Sequence, residues 1–342
     1  MAPLTRCRAD EAAGDLSGRP MNVEYYRQRS SAGLIISEGT QVSPAGKGYM
    51  ATPGIYSAAQ VEGWRRVTEA VHAQGSCIVA QIWHVGRISH PTINGGHEPL
   101  APSPIAPGIS AYSASGRVEC PVPRELDTAG IAKVVEEFRT AASNARAAGF
   151  DGVEIHGANG YLVDQFLRDG ANHRTDEYGG SVGNRCRFAL QIIDACCSAI
   201  GADRVGIRLS PVSNVNGIHD SNPQSVFGHL IEALDARAIA FIHLVEGSTG
   251  GARAMQDFDF AAARRHFRGS YIANNGYTRE MAMAAVDSGA ADAIAFGRPF
   301  IANPDLVERL RLGAPLATAD SKTYYAFGPE GYTDYPSLAG SH

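Results

Sequence analysis

Short runs of consecutive apolar residues, closed by glycine or by a polar loop, alternate along the chain with longer stretches in which apolar positions recur every three or four residues. A short continuous apolar run bounded by turn residues reads as a strand buried on both faces, whereas the three-to-four spacing reads as one face of a helix. Strands are expected at 1–6, 33–42, 77–85, 152–158, 205–211, 240–247, 269–276 and 293–298. Helices are expected at 57–74, where Ser57 can cap and Val61, Trp64, Val67 and Val71 share a face, and at 127–148, with Ile131, Val134, Val135, Phe138 and Ala142. Further helical stretches fall at 182–200, 224–234, 258–266, 278–288 and 303–312. Strands and helices in strict alternation predict an α/β fold, a single (β/α)8 barrel spanning 1–342. A doubly wound sheet is the alternative, but no Gly-x-Gly-x-x-Gly follows an early strand.

Two segments are too long to be plain connectors. Residues 87–125, rich in Pro, Gly and Ser, are expected to form a lid or capping loop. The C-terminal segment 313–342, with a Gly- and Tyr-rich stretch at 324–336, is expected to fold over the barrel mouth.

The stretch 152–161 carries the most chemistry. Its apolar half ends in small residues that deliver His156, Asn159 and Tyr161 within six positions. Barrel enzymes place their reactive groups at strand carboxyl ends, and residues two apart on a strand share a face. Gln81 therefore pairs with Trp83, Glu154 with His156, and Gly206 with Arg208 and Ser210, while strand one ends in Thr5. The last two strands end in Asn275-Gly276 and Gly297-Arg298, Gly turns with one guanidinium, where barrels often hold a phosphate. Taken singly, Arg208 fits a paired structural arginine and His156 a satisfied core histidine. Glu154-x-His156 also fits half a metal site, although no matching ligand pair sits on a neighbouring strand end.

Composition narrows the chemistry. The 342 residues are 44% hydrophobic and 19% charged with a formal charge of −5, which gives no reason to expect nucleic acid or an anionic membrane as partner. No run approaches the ~20 apolar residues of a membrane span, and the N-terminus lacks a secretory signal. Six scattered cysteines without Cys-x-x-Cys spacing suit a reduced, cytoplasmic protein. Lys occurs only at positions 47, 133 and 322, none at a strand end, so Schiff-base chemistry on a barrel lysine is disfavoured.

Seven motifs run through the chain in order: Met-Ala-Pro-Leu-Thr-Arg (1–6), Gln-Ile-Trp-His-Val-Gly-Arg (81–87), Glu-Ile-His-Gly-Ala-Asn-Gly-Tyr-Leu (154–162), Asn-His-Arg-Thr-Asp-Glu-Tyr-Gly-Gly-Ser (172–181), Arg-Leu-Ser-Pro (208–211), Phe-Gly-Arg-Pro-Phe-Ile-Ala-Asn-Pro-Asp-Leu (296–306) and Gly-Tyr-Thr-Asp-Tyr-Pro (331–336). Together they resemble the Old Yellow Enzyme family of FMN-dependent ene-reductases, in particular its oxophytodienoate reductase and N-ethylmaleimide reductase group. The resemblance implies a barrel holding FMN, with NADPH or NADH as reductant. It implies that Thr5, Pro3, Leu4, Gly39, Gln81 and Arg208 surround the flavin ring and that Asn275, Gly276, Gly297 and Arg298 hold its phosphate. It further implies that His156 and Asn159 grip the carbonyl or nitro oxygen of an activated alkene, that hydride arrives from flavin N5, and that Tyr161 supplies the proton. Tyr49, Trp83 and Tyr325 match aromatic positions lining the substrate face. A monomer or homodimer is expected. Nitrate-ester reduction at the same site, or a non-catalytic FMN-binding barrel, are the alternatives. Two departures stand out: family members usually carry a further N-terminal stretch before Ala-Pro-Leu-Thr, so that strand one is expected to be shortened here, and the oxygen-gripping pair is His/Asn where close groups often have His/His.

Overall fold

The protein is described by a computed structural model in which residues 1–16, 19–253 and 258–338 are placed. The elements run α1 (Pro20–Gln28), β1 (Leu34–Ile36), β2 (Thr40–Gln41), α2 (Ala58–His72), β3 (Cys77–Trp83), then β4 (Leu100–Ala101), β5 (Ser110–Ser113), β6 (Gly116–Glu119) and β7 (Arg124–Glu125) inside the long loop. They continue as α3 (Thr128–Ala147), β8 (Gly152–Gly157), α4 (Leu162–Leu167), α5 (Val182–Ile200), β9 (Val205–Leu209), α6 (Pro223–Asp235), β10 (Phe241–Val245) and α7 (Phe260–His266). The chain closes with β11 (Ser270–Asn274), α8 (Arg279–Asp287), β12 (Ala293–Ala295), α9 (Arg298–Ala302) and α10 (Leu306–Leu312). The main sheet has the order β1-β3-β8-β9-β10-β11-β12, with β2 beside β3, and every pair in it is parallel. This is the barrel that the alternation predicts. The doubly wound alternative is set aside.

Local chemistry explains the helices. α2 starts with a reciprocal capping box, Ser57 accepting from the Gln60 backbone while the Gln60 side chain accepts from the Ser57 backbone. Asp127, Ser181, Asn222 and Thr278 cap α3, α5, α6 and α8 through their side-chain oxygens. Among the described residues, no helix is long and apolar enough to cross a membrane.

Three expectations need correction. The strand expected at 33–42 breaks at 37–39, because the Ser37 hydroxyl accepts the Gln81 backbone N–H at 2.9 Å and donates to the Glu38 carbonyl at 2.9 Å, displacing the ladder. The first strand, expected at 1–6, reaches the sheet only through its first two residues. Met1 joins Leu34 and Ile36 of β1, and the Ala2 N–H donates to the Phe296 carbonyl just past β12 at 2.9 Å, so these two residues bridge the strands at either end of the order. The helix expected at 303–312 is shorter, beginning only at Leu306 of α10, and Asn303 separates it from α9 with a side chain that donates to the carbonyls of Pro299 and Ala317.

Inside the barrel, side chains stack in layers. Ala2, Ile36, Val79, Phe241, Ile272 and Ala295 fill the apolar lower layer, and Gln81, Glu154 and His243 lie above it, all buried. At the carboxyl ends come Trp83, His156, Arg208 and Asn274. Buried arginines tie the C-terminal segment to this mouth. Arg8 donates to the carbonyls of Thr323, Tyr324, Gly328 and Glu330 and lies over the Tyr332 ring at 4.4 Å. Arg29 donates to the carbonyls of Tyr25, Phe300, Ile301 and Tyr332 and stacks on Tyr25 at 3.8 Å. Residues 339–342 of the segment expected over the mouth lie outside the described residues.

Because Arg29 is fully buried and satisfies four carbonyls at once, Arg29→Met should lower stability by about 3 kcal/mol or more. Urea denaturation checks this; a midpoint equal to that of the parent protein would show that these bonds contribute nothing net.

Candidate active site

A cavity of about 610 Å³ opens at the carboxyl mouth of the strands. Its walls come from the first residues of the chain, from β3, β8 and β9, from the loops after β10, β11 and β12, and from Tyr324 and Tyr325. It collects Pro3, Leu4, Thr5, Tyr49, Gln81, Trp83, His156, Asn159, Tyr161, Arg208, Asn275, Gly276, Gly297, Arg298 and Tyr325, every expected site residue except Gly39. Gly39 serves a different close approach: a Cβ there would lie 2.7 Å from the indole of Trp83. Tyr325 is 63% exposed and stands at the entrance.

One end of the cavity carries two N–H donors and a phenol. His156 is buried, and the Ala158 backbone N–H points at its Nδ1 at 3.3 Å. A ring nitrogen that accepts is unprotonated, so the proton sits on Nε2. Burial, then the nearby Arg208 and His243, hold the imidazole pKa well below its ordinary value. The ring is therefore neutral and offers an N–H. Asn159 follows at φ 60°, a left-handed conformation that Asn tolerates. Its backbone N–H donates to the Ser210 hydroxyl (2.8 Å), its carbonyl accepts from Asn216 (2.9 Å), and its side-chain Oδ1 accepts from the Thr249 hydroxyl (2.7 Å). Its amide NH2 has no partner among the described residues, and Asn159 lines the cavity. Tyr161 immediately precedes α4, lies edge-on to both His156 (4.8 Å) and Trp83 (4.9 Å), and shares a 2.8 Å hydrogen bond with the Tyr49 hydroxyl. Desolvation pushes its pKa up to about 12, which keeps the phenol protonated.

The floor is electropositive. Arg208 projects from β9 and is 8% exposed; its Nη2 donates to Asn274 Oδ1 at 2.8 Å, while its Nε has no partner among the described residues. Burial lowers its pKa, but a guanidinium stays charged. Asn274 is itself held by the Ala295 carbonyl at 2.6 Å. Gln81 and Thr5 complete this wall.

At the far end, Gly250, Gly251, Asn275, Gly276, Gly297 and Arg298 converge. Arg298 packs against Gly250 so closely that a Cβ there would lie 2.6 Å from its Nη2. The Asn275 side chain is spent inside the protein, donating to the carbonyls of Glu246 and Ser248 and accepting from Gly250 N–H. Any contact it makes with a ligand is therefore through its backbone. Thr249, Gly250, Gly251, Asn274 and Tyr277 also line the cavity, beyond the residues expected from the sequence. The run Gly-Ser-Thr-Gly-Gly at 247–251, at a strand's carboxyl end, is the signal that identifies the first three.

A parallel barrel with paired donors at one end of its mouth, a buried cation in its floor and a glycine-rich anion cradle at the other end defines a class: α/β-barrel oxidoreductases that work with a phosphorylated ring cofactor. Residues 1–317 match the NADH:flavin oxidoreductase / NADH oxidase family, FMN-dependent oxidoreductases, and the chain belongs to it. It is 44% identical over 363 residues to 12-oxophytodienoate reductase 7 of Oryza sativa subsp. japonica, covering 99% of this chain and 90% of the relative. It is also 44% identical over 348 residues to 12-oxophytodienoate reductase 2 of Arabidopsis thaliana, covering 99% and 91%. Among solved structures, the old yellow enzyme homologue from Zymomonas mobilis superimposes with a TM-score of 0.95 at 44% identity, covering 99% of this chain and 95% of that one. Morphinone reductase in complex with tetrahydroNAD superimposes with a TM-score of 0.92 at 45% identity, covering 100% and 94%.

With His156 held neutral by burial and Arg208, nitrogen NMR of the labelled ring should show a single protonated nitrogen, Nε2, throughout roughly pH 5–8, the range in which an unperturbed histidine titrates. A second protonation within that range would overturn the donor assignment.

Proposed function

We propose that the protein reduces the C=C bond of α,β-unsaturated carbonyl or nitro compounds with NAD(P)H as reductant and FMN as cofactor. The observation that carries this reading is the presence of His156, Asn159 and Tyr161 in the same cavity as Arg208 and the glycine cradle. FMN suits the donor set: Arg208 keeps an unmatched buried N–H for an anionic ring edge, Gln81 offers an amide, and Gly250, Gly276, Gly297 and Arg298 suit a phosphate. When bound, FMN supplies the redox chemistry, taking hydride from the nicotinamide and passing it to the alkene.

The chain's own residues do the rest. Nε2–H of His156 and the NH2 of Asn159 donate to the substrate oxygen, polarise the conjugated bond and stabilise the enolate-like charge that develops there. The desolvated surroundings strengthen both bonds. Tyr161, kept protonated, donates its phenolic proton to the adjacent carbon, which becomes basic enough to accept it as reduction proceeds. Tyr49 orients that hydroxyl through their 2.8 Å contact, and Trp83 walls the substrate space. Tyr324 and Tyr325 of the C-terminal segment border the mouth, while the segment 87–125 flanks the site through Ile88 and Ile109, packed with Trp83 and Tyr161. Six cysteines without a disulfide partner suit a cytoplasmic setting.

The purified protein should be yellow, or become so on adding FMN; a protein that takes up no FMN overturns the reading. Tyr161→Phe should slow reoxidation of the reduced enzyme by cyclohexenone at least about tenfold, as expected for loss of a general acid, while NADPH reduces its flavin at nearly the parental rate. Stopped-flow measurement of the two half-reactions separates the roles, and an equal loss in both would remove Tyr161 as the proton donor.

A further inference from the structure

Two buried groups behind the cavity lining, Glu154 and His243, are not used by this chemistry, and they sit in one layer with Gln81, which is. Gln81 on β3, Glu154 on β8 and His243 on β10 are 2%, 0% and 0% exposed. Gln81 and Glu154 face each other in register on adjacent strands, and the Gln81 Nε2 donates to Glu154 Oε1 at 2.8 Å. The strand between β8 and β10 places Gly206 opposite Glu154, where the ring of Phe241 packs so closely that a Cβ would collide with it, and the His243 Nδ1 reaches Glu154 Oε2 at 2.7 Å. A carboxylate only accepts, so in that bond the His243 Nδ1 carries the proton and donates, while its buried Nε2 has no partner among the described residues. Glu154 thus accepts from Gln81 on the adjacent strand and from His243 two strands away.

The polarity of this arrangement matters because a carboxylate is an acceptor only. A hydroxyl would serve either orientation of an amide, but Glu154 admits one: NH2 turned toward it, carbonyl oxygen turned away. Gln81 lines the cavity, so the group it presents there is an acceptor. We propose that Glu154, anchored by His243, is a positioning residue that sets the amide of Gln81 and so makes the cavity floor select a ring edge carrying a central N–H donor. The inference rests on the reading that FMN lies in the cavity with its pyrimidine edge, whose N3–H is such a donor, at Gln81. Without Glu154 the amide is free to turn its NH2 toward that edge, and donor then faces donor.

The test compares dissociation constants of the apoprotein for FMN and for 3-methyl-FMN, which lacks the N3–H, by fluorescence titration. The parent protein should prefer FMN by about tenfold or more, the loss of one matched buried hydrogen bond, and Gln81→Leu should abolish the preference. Glu154→Leu should reduce it to within about threefold, whereas Glu154→Gln, whose amide oxygen still accepts from Gln81, should restore most of it. A merely structural role would weaken both ligands alike and leave the ratio unchanged. An unchanged ratio in Glu154→Leu overturns the proposal. Where Glu154→Leu does not fold, His243→Leu replaces it: this variant releases the carboxylate from the other side and should also lower the ratio, and an unchanged ratio overturns the proposal equally. A parent protein that binds FMN without discriminating, or a Gln81→Leu variant that still discriminates, overturns instead the placement of the ring edge at Gln81. A parent protein that binds neither ligand overturns the FMN reading itself.

Discussion

The parallel direction of every strand in the main sheet is the constraint on which the rest depends. Parallel strands put all their carboxyl ends on one side, and the two-residue alternation of side chains decides which residues meet there. The pairing of Gln81 with Glu154 and of His156 with Arg208 follows from that register alone. A slip of one residue between β8 and β9 would turn one partner's entire set of inward groups outward. The site is therefore as exact as the ladder that carries it, and residues from Pro3 to Tyr325 share one cavity although most are far apart in sequence.

Desolvation then gives each of these groups its state. The same burial that pushes the phenol of Tyr161 up and keeps it protonated pushes the imidazole of His156 down and keeps it neutral. It cannot neutralise Arg208, whose ordinary pKa lies too far above the physiological range. One physical cause thus leaves a protonated phenol, a neutral imidazole and a fixed cation within one cavity. The neighbours refine this: Ala158 N–H selects the tautomer of His156, and Ser210, Asn216 and Thr249 consume every polar group of Asn159 except its NH2.

Much of this was legible in the chain. Buried parallel strands are continuous apolar runs and their ends are marked by glycine and polar residues, so the barrel, the stretch ending in His156, Asn159 and Tyr161, and the Gly-Arg turn at 297–298 stand out without coordinates. Legibility failed where a side chain's partner lies far away in sequence. Ser37 reads as one more residue of a strand, yet its hydroxyl bonds to the backbone of Gln81 and breaks the strand. That Gly39 also leaves room for the Trp83 indole, 2.7 Å from where a Cβ would lie, shows only in the fold. That the Asn275 amide is held by the loop after β10, which leaves its backbone to face the cavity, depends equally on a distant partner.

Glu154 marks the boundary between the two kinds of information. Its alternation with His156 shows from the sequence alone that both point into the barrel, because that depends only on backbone geometry within one strand. That its two oxygens are taken by Gln81 and His243 depends on the strand order, which sets β3 and β10 on either side of it. The sequence by itself determined which chemical groups reach the mouth, since period and strand ends are local properties. Only the tertiary structure decided which way their donors and acceptors point, since each is oriented by a partner that folding alone brings near.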